Sequence, residues 1–312
     1  MTGSLLPTTI PVFLTLGAGF TMRWRNWLSD NFETSLMRLA IVLLMPCLIL
    51  DKVIGDPALD KPANLLFSTG LGFVITVLSL LLASVIAPLL GLHRGSGRRT
   101  FALTCALQNY GFLAIPVLQS LFGERPLGVL FLFGTGVEVA VWTVGIMTLR
   151  GWRGSNWRSL LNGPFLALLL GLALNSLHAD HWIPGAIRST LSTLGGCSVP
   201  MSLFSIGATI AAETRSTPWS FHAGTLFGAA FCRLLLFPAT MLALAFALPT
   251  GPELRMVIVV QAAMPSAVIP VVLAKLYGGH PLTAVQVIVV TTVLSVFTMP
   301  FALALGQKCL GV

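Results

Sequence analysis

Of ten acidic and eighteen basic residues, one of each falls near the middle of a long apolar stretch: Glu138 in "GVEVAVW" and Arg233 in "FCRLLLF". A charge at the centre of a bilayer costs at least about 3 kcal/mol unless compensated, so it faces the protein interior, pairs, or serves transport. Two readings follow. Glu138 and Arg233 form a structural pair, or Glu138 carries a proton, and then its titration depends on whether Arg233 stays close. Neutral polar residues gather in two further places. Gln108, Asn109 and Tyr110 precede Pro116 in "QNYGFLAIPVLQSLFGE", and Gln261, Pro265 and Ser266 precede Pro270 in "QAAMPSAVIPVVLAKLYGG". Buried amides glue helices together or line a site, and an interior proline removes a backbone hydrogen bond and kinks or breaks its helix.

The elements that must hold these groups are membrane helices. Apolar residues make up 55% of the 312 and charged residues only 9%, with a mean hydropathy of +0.90; a soluble domain carries about a quarter charged residues. Ten runs approach the roughly 20 apolar residues that span a bilayer: 5–22, 34–54, 64–90, 100–122, 127–149, 164–178, 185–211, 219–248, 254–277 and 282–306. Residues 1–4 carry no Lys or Arg and no small-residue cleavage signal follows, so the first run is read as a helix, not a signal peptide. The bases sit in short loops between runs, a pattern of orientation signals rather than of nucleic-acid binding. The five cysteines form no CxxC pair and read as small apolar residues. No catalytic set or metal-ligand spacing stands out; His178 and His181 read as an exposed loop pair, and neither enzyme activity nor a cofactor or metal is expected. Asp51 and Lys52 read as interfacial anchors.

The chain is written twice. A separation of 154 residues joins Pro116 to Pro270 and equally Pro46 to Pro200; Ile115-Pro116-Val117 matches Ile269-Pro270-Val271, and Pro126 matches Pro281 within one residue. This predicts repeats over 1–155 and 156–312. Five helices per repeat is odd, so the second enters the membrane inverted. Inverted repeats with interrupted helices at matching positions are a signature of secondary transporters, whose sites lie where the repeats meet. Unpaired backbone survives at membrane depth only against protein or a water-filled cavity, and proline suits the first turn of a resumed helix. The free N–H groups there favour an anion. The plainer alternative is that these prolines only kink their helices.

"VVQAAMPSAVIPVVLAKLYGGHP" with "TTVLSVFTMPFALAL" closely resembles the ninth and tenth helices of the auxin efflux carrier family, which includes plant auxin carriers and bacterial organic-acid permeases; "QNYGFLAIPVLQSLFGE" resembles its fourth helix and "SVPMSLFSIGATIAA" its seventh. The resemblance implies ten helices in two inverted five-helix repeats. Helices 4 and 9 are broken and cross, and helices 3–5 and 8–10 form a transport domain moving elevator-like against a scaffold of helices 1, 2, 6 and 7. It also implies a small organic anion bound beside the crossover. The long loop of plant members is absent, which makes auxin itself an unexpected substrate. Two departures stand out. Where plant members carry a second Asn this chain reads "MPSAVIP", leaving Ser266 or backbone groups to serve, and Glu138 stands where they carry a substrate-contacting Gln.

The expected function is a secondary carrier for a small organic anion in the plasma (inner) membrane. Its expected site comprises Gln108, Asn109, Tyr110, Pro116, Glu138, Gln261, Pro265, Ser266 and Pro270, with Glu138 and Arg233 setting the local charge. Its partners are the bilayer and an organic acid, not nucleic acid; coupling to a proton or Na+, and a homodimer, stay open. A ligand-binding receptor without transport and an anion channel are the alternatives; the first wants an output domain and the second a filter motif. With both termini outside, inner loops hold eleven Lys and Arg against six outside, which places 150–163 in the cytoplasm. A cysteine introduced at Asn156 in a background without native cysteines should label from the cytoplasmic side only; labelling from outside reverses the topology.

Overall fold

The structure, a computed structural model, describes residues 5–60, 62–92, 97–150, 161–216 and 222–312. The loop bases Lys61, Arg94, Arg153 and Arg158, with His93 and Asn156, lie outside the described residues. Backbone in an apolar setting must satisfy its hydrogen bonds within the protein, and a helix does so within its own segment. The apolar runs accordingly fold as helices, and the described residues contain no strand. In chain order these are α1 (Leu5–Trp24), α2 (30–53), α3 (Leu65–Leu90), α4 (Arg98–Ala106), α5 (Ala114–Phe122), α6 (Leu127–Arg150), α7 (Gly163–Ser176), α8 (Gly185–Arg215), α9 (Ala223–Ala247), α10 (Pro252–Ala263), α11 (Ile269–Tyr277) and α12 (Pro281–Leu310). Of these, α3, α6, α8, α9 and α12 are long and apolar enough to cross a membrane. The run 100–122 is divided between α4 and α5, and the run 254–277 between α10 and α11.

Proline explains two local departures from regular helix. One-turn π segments at Ala40–Leu44 in α2 and Cys232–Leu236 in α9 immediately precede the turns that contain Pro46 and Pro238. A proline cannot bond back to the preceding turn, and a widened turn absorbs the mismatch. A third π segment, Val141–Gly145, follows Glu138 in α6.

Two sets of helices pack closely. The long contact of α1 with α8 is made by reciprocal glycines: a Cβ on Gly19 would lie 1.9 Å from the Phe204 carbonyl oxygen, and one on Gly207 1.9 Å from that of Leu16. Helix α2 joins this set through Leu48 against Gly195 of α8 and Val53 against Gly171 of α7. In the other set α3 meets α6 in the same way, Gly72 against the Phe133 carbonyl and Gly136 against that of Thr69, while α9 and α10 pack on α12. Lipid tails are as apolar as leucine, so helices in a membrane associate by close packing, and small residues make it possible. Gly207→Val should therefore lower the melting temperature despite removing a helix glycine, an exchange worth a few tenths of a kcal/mol in favour of helix. The overpacking should cost about 1–3 kcal/mol or more, read as earlier unfolding in a detergent thermal melt, and an unchanged melt would refute the close approach.

Candidate functional site

Helix α4 stops at Ala106 and α10 at Ala263, and the residues that follow are extended: Leu107 at φ −87°, ψ 101° and Met264 at φ −75°, ψ 138°. The two extended stretches run antiparallel and satisfy one another. The Asn109 N–H donates to the Pro265 carbonyl at 2.9 Å and the Ala267 N–H to the Leu107 carbonyl at 2.9 Å, with Gln108 bridged to Ser266. Residues 107–109 and 265–267 thus form a minimal two-stranded ladder inside a helical protein.

Side chains complete the backbone around this ladder. The Asn109 Oδ1 accepts from the Leu113 N–H at 3.1 Å, which closes the turn leading into α5. Pro116 is the third residue of α5 and Pro270 the second of α11, in first turns where a missing N–H breaks no helical bond. Thr291 of α12 accepts from the Ser266 N–H at 3.3 Å, and Gln261 donates its amide to the Tyr110 carbonyl at 3.1 Å. Arg233, fully buried, donates from Nε to the Met264 carbonyl at 3.0 Å and from Nη2 to the Gln261 carbonyl at 3.2 Å.

What is left over defines the candidate site. Both amide atoms of Gln108, the Oε1 of Gln261, the Oγ of Ser266 and the Nη1 of Arg233 are buried without a hydrogen-bond partner in the protein. Each such group costs about 1–3 kcal/mol when left unsatisfied, and these five lie on the two segments of the ladder, on the last turn of α10, or on the arginine bonded to it. Glu138 reaches the same neighbourhood through Tyr110, whose hydroxyl donates to Oε1 at 3.0 Å; its Oε2 accepts from the Asn162 amide at 3.0 Å. Glu138 and Arg233 form no ion pair with each other. The acid is held by two neutral donors and the base by carbonyls, each compensated separately.

A cavity of about 570 Å³ opens between α1, α5 and α8, lined by Pro11, Thr15, Pro116, Ser120 and Pro200 among others and by none of the ladder residues. That volume suits a small organic ligand. The structure therefore brings Gln108, Asn109, Tyr110, Gln261, Pro265 and Ser266 together, attaches Glu138 through Tyr110, sets Pro116 on the cavity wall and buries Pro270 at the head of α11. Two participants escaped the sequence reading. Asn162 caps α7 by accepting from the Phe165 N–H at 2.9 Å while donating to Glu138; Asn-Gly-Pro before an apolar run is a legible cap signal. Thr291 left no signal, since a hydroxyl on a membrane helix ordinarily bonds to its own preceding turn.

A buried polar ladder held among helices long and apolar enough to cross a bilayer defines a multi-pass integral membrane protein. The chain belongs to the auxin efflux carrier family of membrane transporters: the model of the membrane transport protein family matches residues 5–156 and 147–303. It is 27% identical over 299 residues to an uncharacterized transporter of Methanothermobacter thermautotrophicus, covering 94% of this chain and 95% of that protein. It is 26% identical over 239 residues, 72% of this chain and 75% of the other, to an uncharacterized transporter of Methanocaldococcus jannaschii. The rice protein named auxin efflux carrier component 3a matches at 34% over 129 residues, 40% of this chain and only 20% of the rice protein.

Because Asn109 Oδ1 is the acceptor for the buried Leu113 N–H in the turn that leads into α5, Asn109→Ala should destabilise the protein by about 1–3 kcal/mol, the cost of leaving a buried donor unpaired. A thermal melt checks this; equal melting of Asn109→Ala and wild type would refute the structural role of that bond.

Proposed function

We propose that this protein is a secondary carrier of a small organic anion, worked by alternating access, with the substrate held at the ladder between residues 107–109 and 265–267. One observation carries the reading: the buried polar atoms without partners on Gln108, Gln261, Ser266 and Arg233 lie on or bonded to the segments that follow the ends of α4 and α10. Helix N-termini offer unpaired N–H groups and a positive dipole end to an anion. In this reading α4 with α5, and α10 with α11, are each one interrupted span, and 1–155 and 156–312 are inverted repeats. Asn109 orients the α5 terminus towards the carboxylate, Gln108, Tyr110, Gln261 and Ser266 contact the substrate, and Glu138 sets the charge of the site.

The packing sets supply the moving parts. Helices α1, α2, α7 and α8 act as scaffold; α3–α6 and α9–α12 carry the site past them in an elevator-like displacement. Polar contacts across this division include the Asn162–Glu138 hydrogen bond at 3.0 Å and two half-exposed ion pairs, Lys52 of α2 with Glu124 at 2.8 Å and Lys275 of α11 with Glu213 of α8 at 2.5 Å. In this reading the displacement exchanges these contacts for others. The cavity beside Pro116 lies on the same division and provides a way in.

Uptake of radiolabelled mono- and dicarboxylates into proteoliposomes, under imposed proton or Na+ gradients, tests the function. Gln108→Leu separates a ligand role from a structural one. Replacing a buried amide that bonds to nothing with a leucine of similar size leaves stability unchanged or higher. The lost hydrogen bond to a charged ligand should weaken carboxylate binding by at least about tenfold. A variant that melts earlier yet binds and transports normally would overturn the assignment.

A further inference from the structure

Arg233 stands out because its charge is buried without a carboxylate. It sits in the π turn Cys232–Leu236 of α9, none of its surface is exposed, and among the described residues no acid lies within ion-pair distance of it. Its compensation comes from the carbonyls of Gln261 and Met264 and from the face of Phe237, whose ring centroid is 5.9 Å from Cζ. Those carbonyls belong to the last turn of α10 and the first residue past it, the negative end of the helix dipole; the Gln261 carbonyl also accepts from the Met264 N–H at 3.3 Å. A guanidinium keeps its charge under all ordinary conditions. The residue 154 positions earlier is Ser79, buried and uncharged, so the first half brings no matching charge.

Unwound carbonyls at the C-terminal end of a half-helix are the ligand set with which secondary transporters hold a coupling cation such as Na+. Here that set is already occupied by a side chain. We propose that Arg233 is a resident cation: a tethered positive charge that takes the place of a soluble monovalent cation at the end of α10, so that the ladder is assembled and the carrier turns over without binding one there. The inference rests on the carrier reading only for its transport arm; the occupation of the carbonyls by a fixed cation stands without it.

The test uses the full chain purified in detergent and in proteoliposomes. Wild type should melt at the same temperature in sodium, potassium and choline chloride, and its carboxylate uptake should not change when choline replaces Na+. Arg233→Ala removes the cation and leaves the carbonyls. It should melt earlier than wild type in choline and recover part of the loss in low-millimolar guanidinium or in NaCl, because a ligand that binds only the folded state stabilises it; its uptake should rise severalfold on replacing choline with Na+. Arg233→Lys keeps the charge and should remain indifferent to the cation, which supplies a readout if the alanine variant does not fold. A wild-type requirement for Na+ in melting or uptake, an Arg233→Ala protein indifferent to guanidinium, Na+ and K+, or an Arg233→Lys protein that acquires a Na+ requirement would each overturn the proposal. Cation-dependent melting of Arg233→Ala in a protein that takes up no carboxylate would remove the carrier reading and support the resident cation.

Discussion

Backbone polar groups have no water to fall back on in hydrocarbon, and much of this structure follows from how that requirement is met where helices stop. An N–H or carbonyl left unpaired in an apolar medium costs several kcal/mol. Two helix ends on their own would leave several such groups apiece. Placed side by side, the extended segments that follow them answer each other, Leu107 and Asn109 bonding to Ala267 and Pro265, and each becomes tolerable because the other exists. The ladder thereby ties residues more than 150 positions apart in the chain, a long-range contact that the surrounding helices must respect.

Around that ladder the side chains divide into those that finish the backbone and those that do not. Asn109, Thr291 and Arg233 each satisfy a group that a continuous helix would have satisfied itself. Gln108 does nothing of the kind, and its whole amide is unpartnered. A polar residue kept at full burial without a structural bond is weak packing and a good ligand group. Arg233 does both: two of its nitrogens hold carbonyls, and the third has no partner in the protein. The close glycine contacts in each helix set supply the rigidity that such a site requires, since hydrogen-bonding geometry is held only as well as the helices that present it.

The two membrane charges show how tertiary context resolves an ambiguity. One acid and one base at mid-helix invite pairing, the commonest way to tolerate both. The structure compensates them apart instead: Glu138 takes hydrogen bonds from Tyr110 and Asn162, and Arg233 takes carbonyls. Asn162 holds a helix terminus with its oxygen and Glu138 with its amide, so the acid is joined to the capping residue of α7 in one of the two packing sets while itself belonging to the other.

Composition and hydropathy by themselves determined that this is a helical membrane protein, because continuous apolar runs of about 20 residues suit a spanning helix, whereas a barrel strand spans with about ten residues of alternating polarity. The spacing of Pro46, Pro116, Pro200 and Pro270, and the amides before Pro116 and Pro270, pointed to where the polar residues would gather. A proline records a lost hydrogen bond at the position where it occurs, so that information is local. Which groups repair the loss is not local. That Ser266 would be answered by Thr291, the end of α10 by Arg233 and Glu138 by the cap of α7 depends on which helices lie against which. That arrangement is set by close approaches such as those at Gly19, Gly72, Gly136 and Gly207, and among thirty glycines nothing in the residue itself distinguishes those that meet a neighbouring backbone from those that face open space. Only the packed structure decides that, because a glycine's contribution here is the absence of an atom, and an absence acquires meaning only from what fills it.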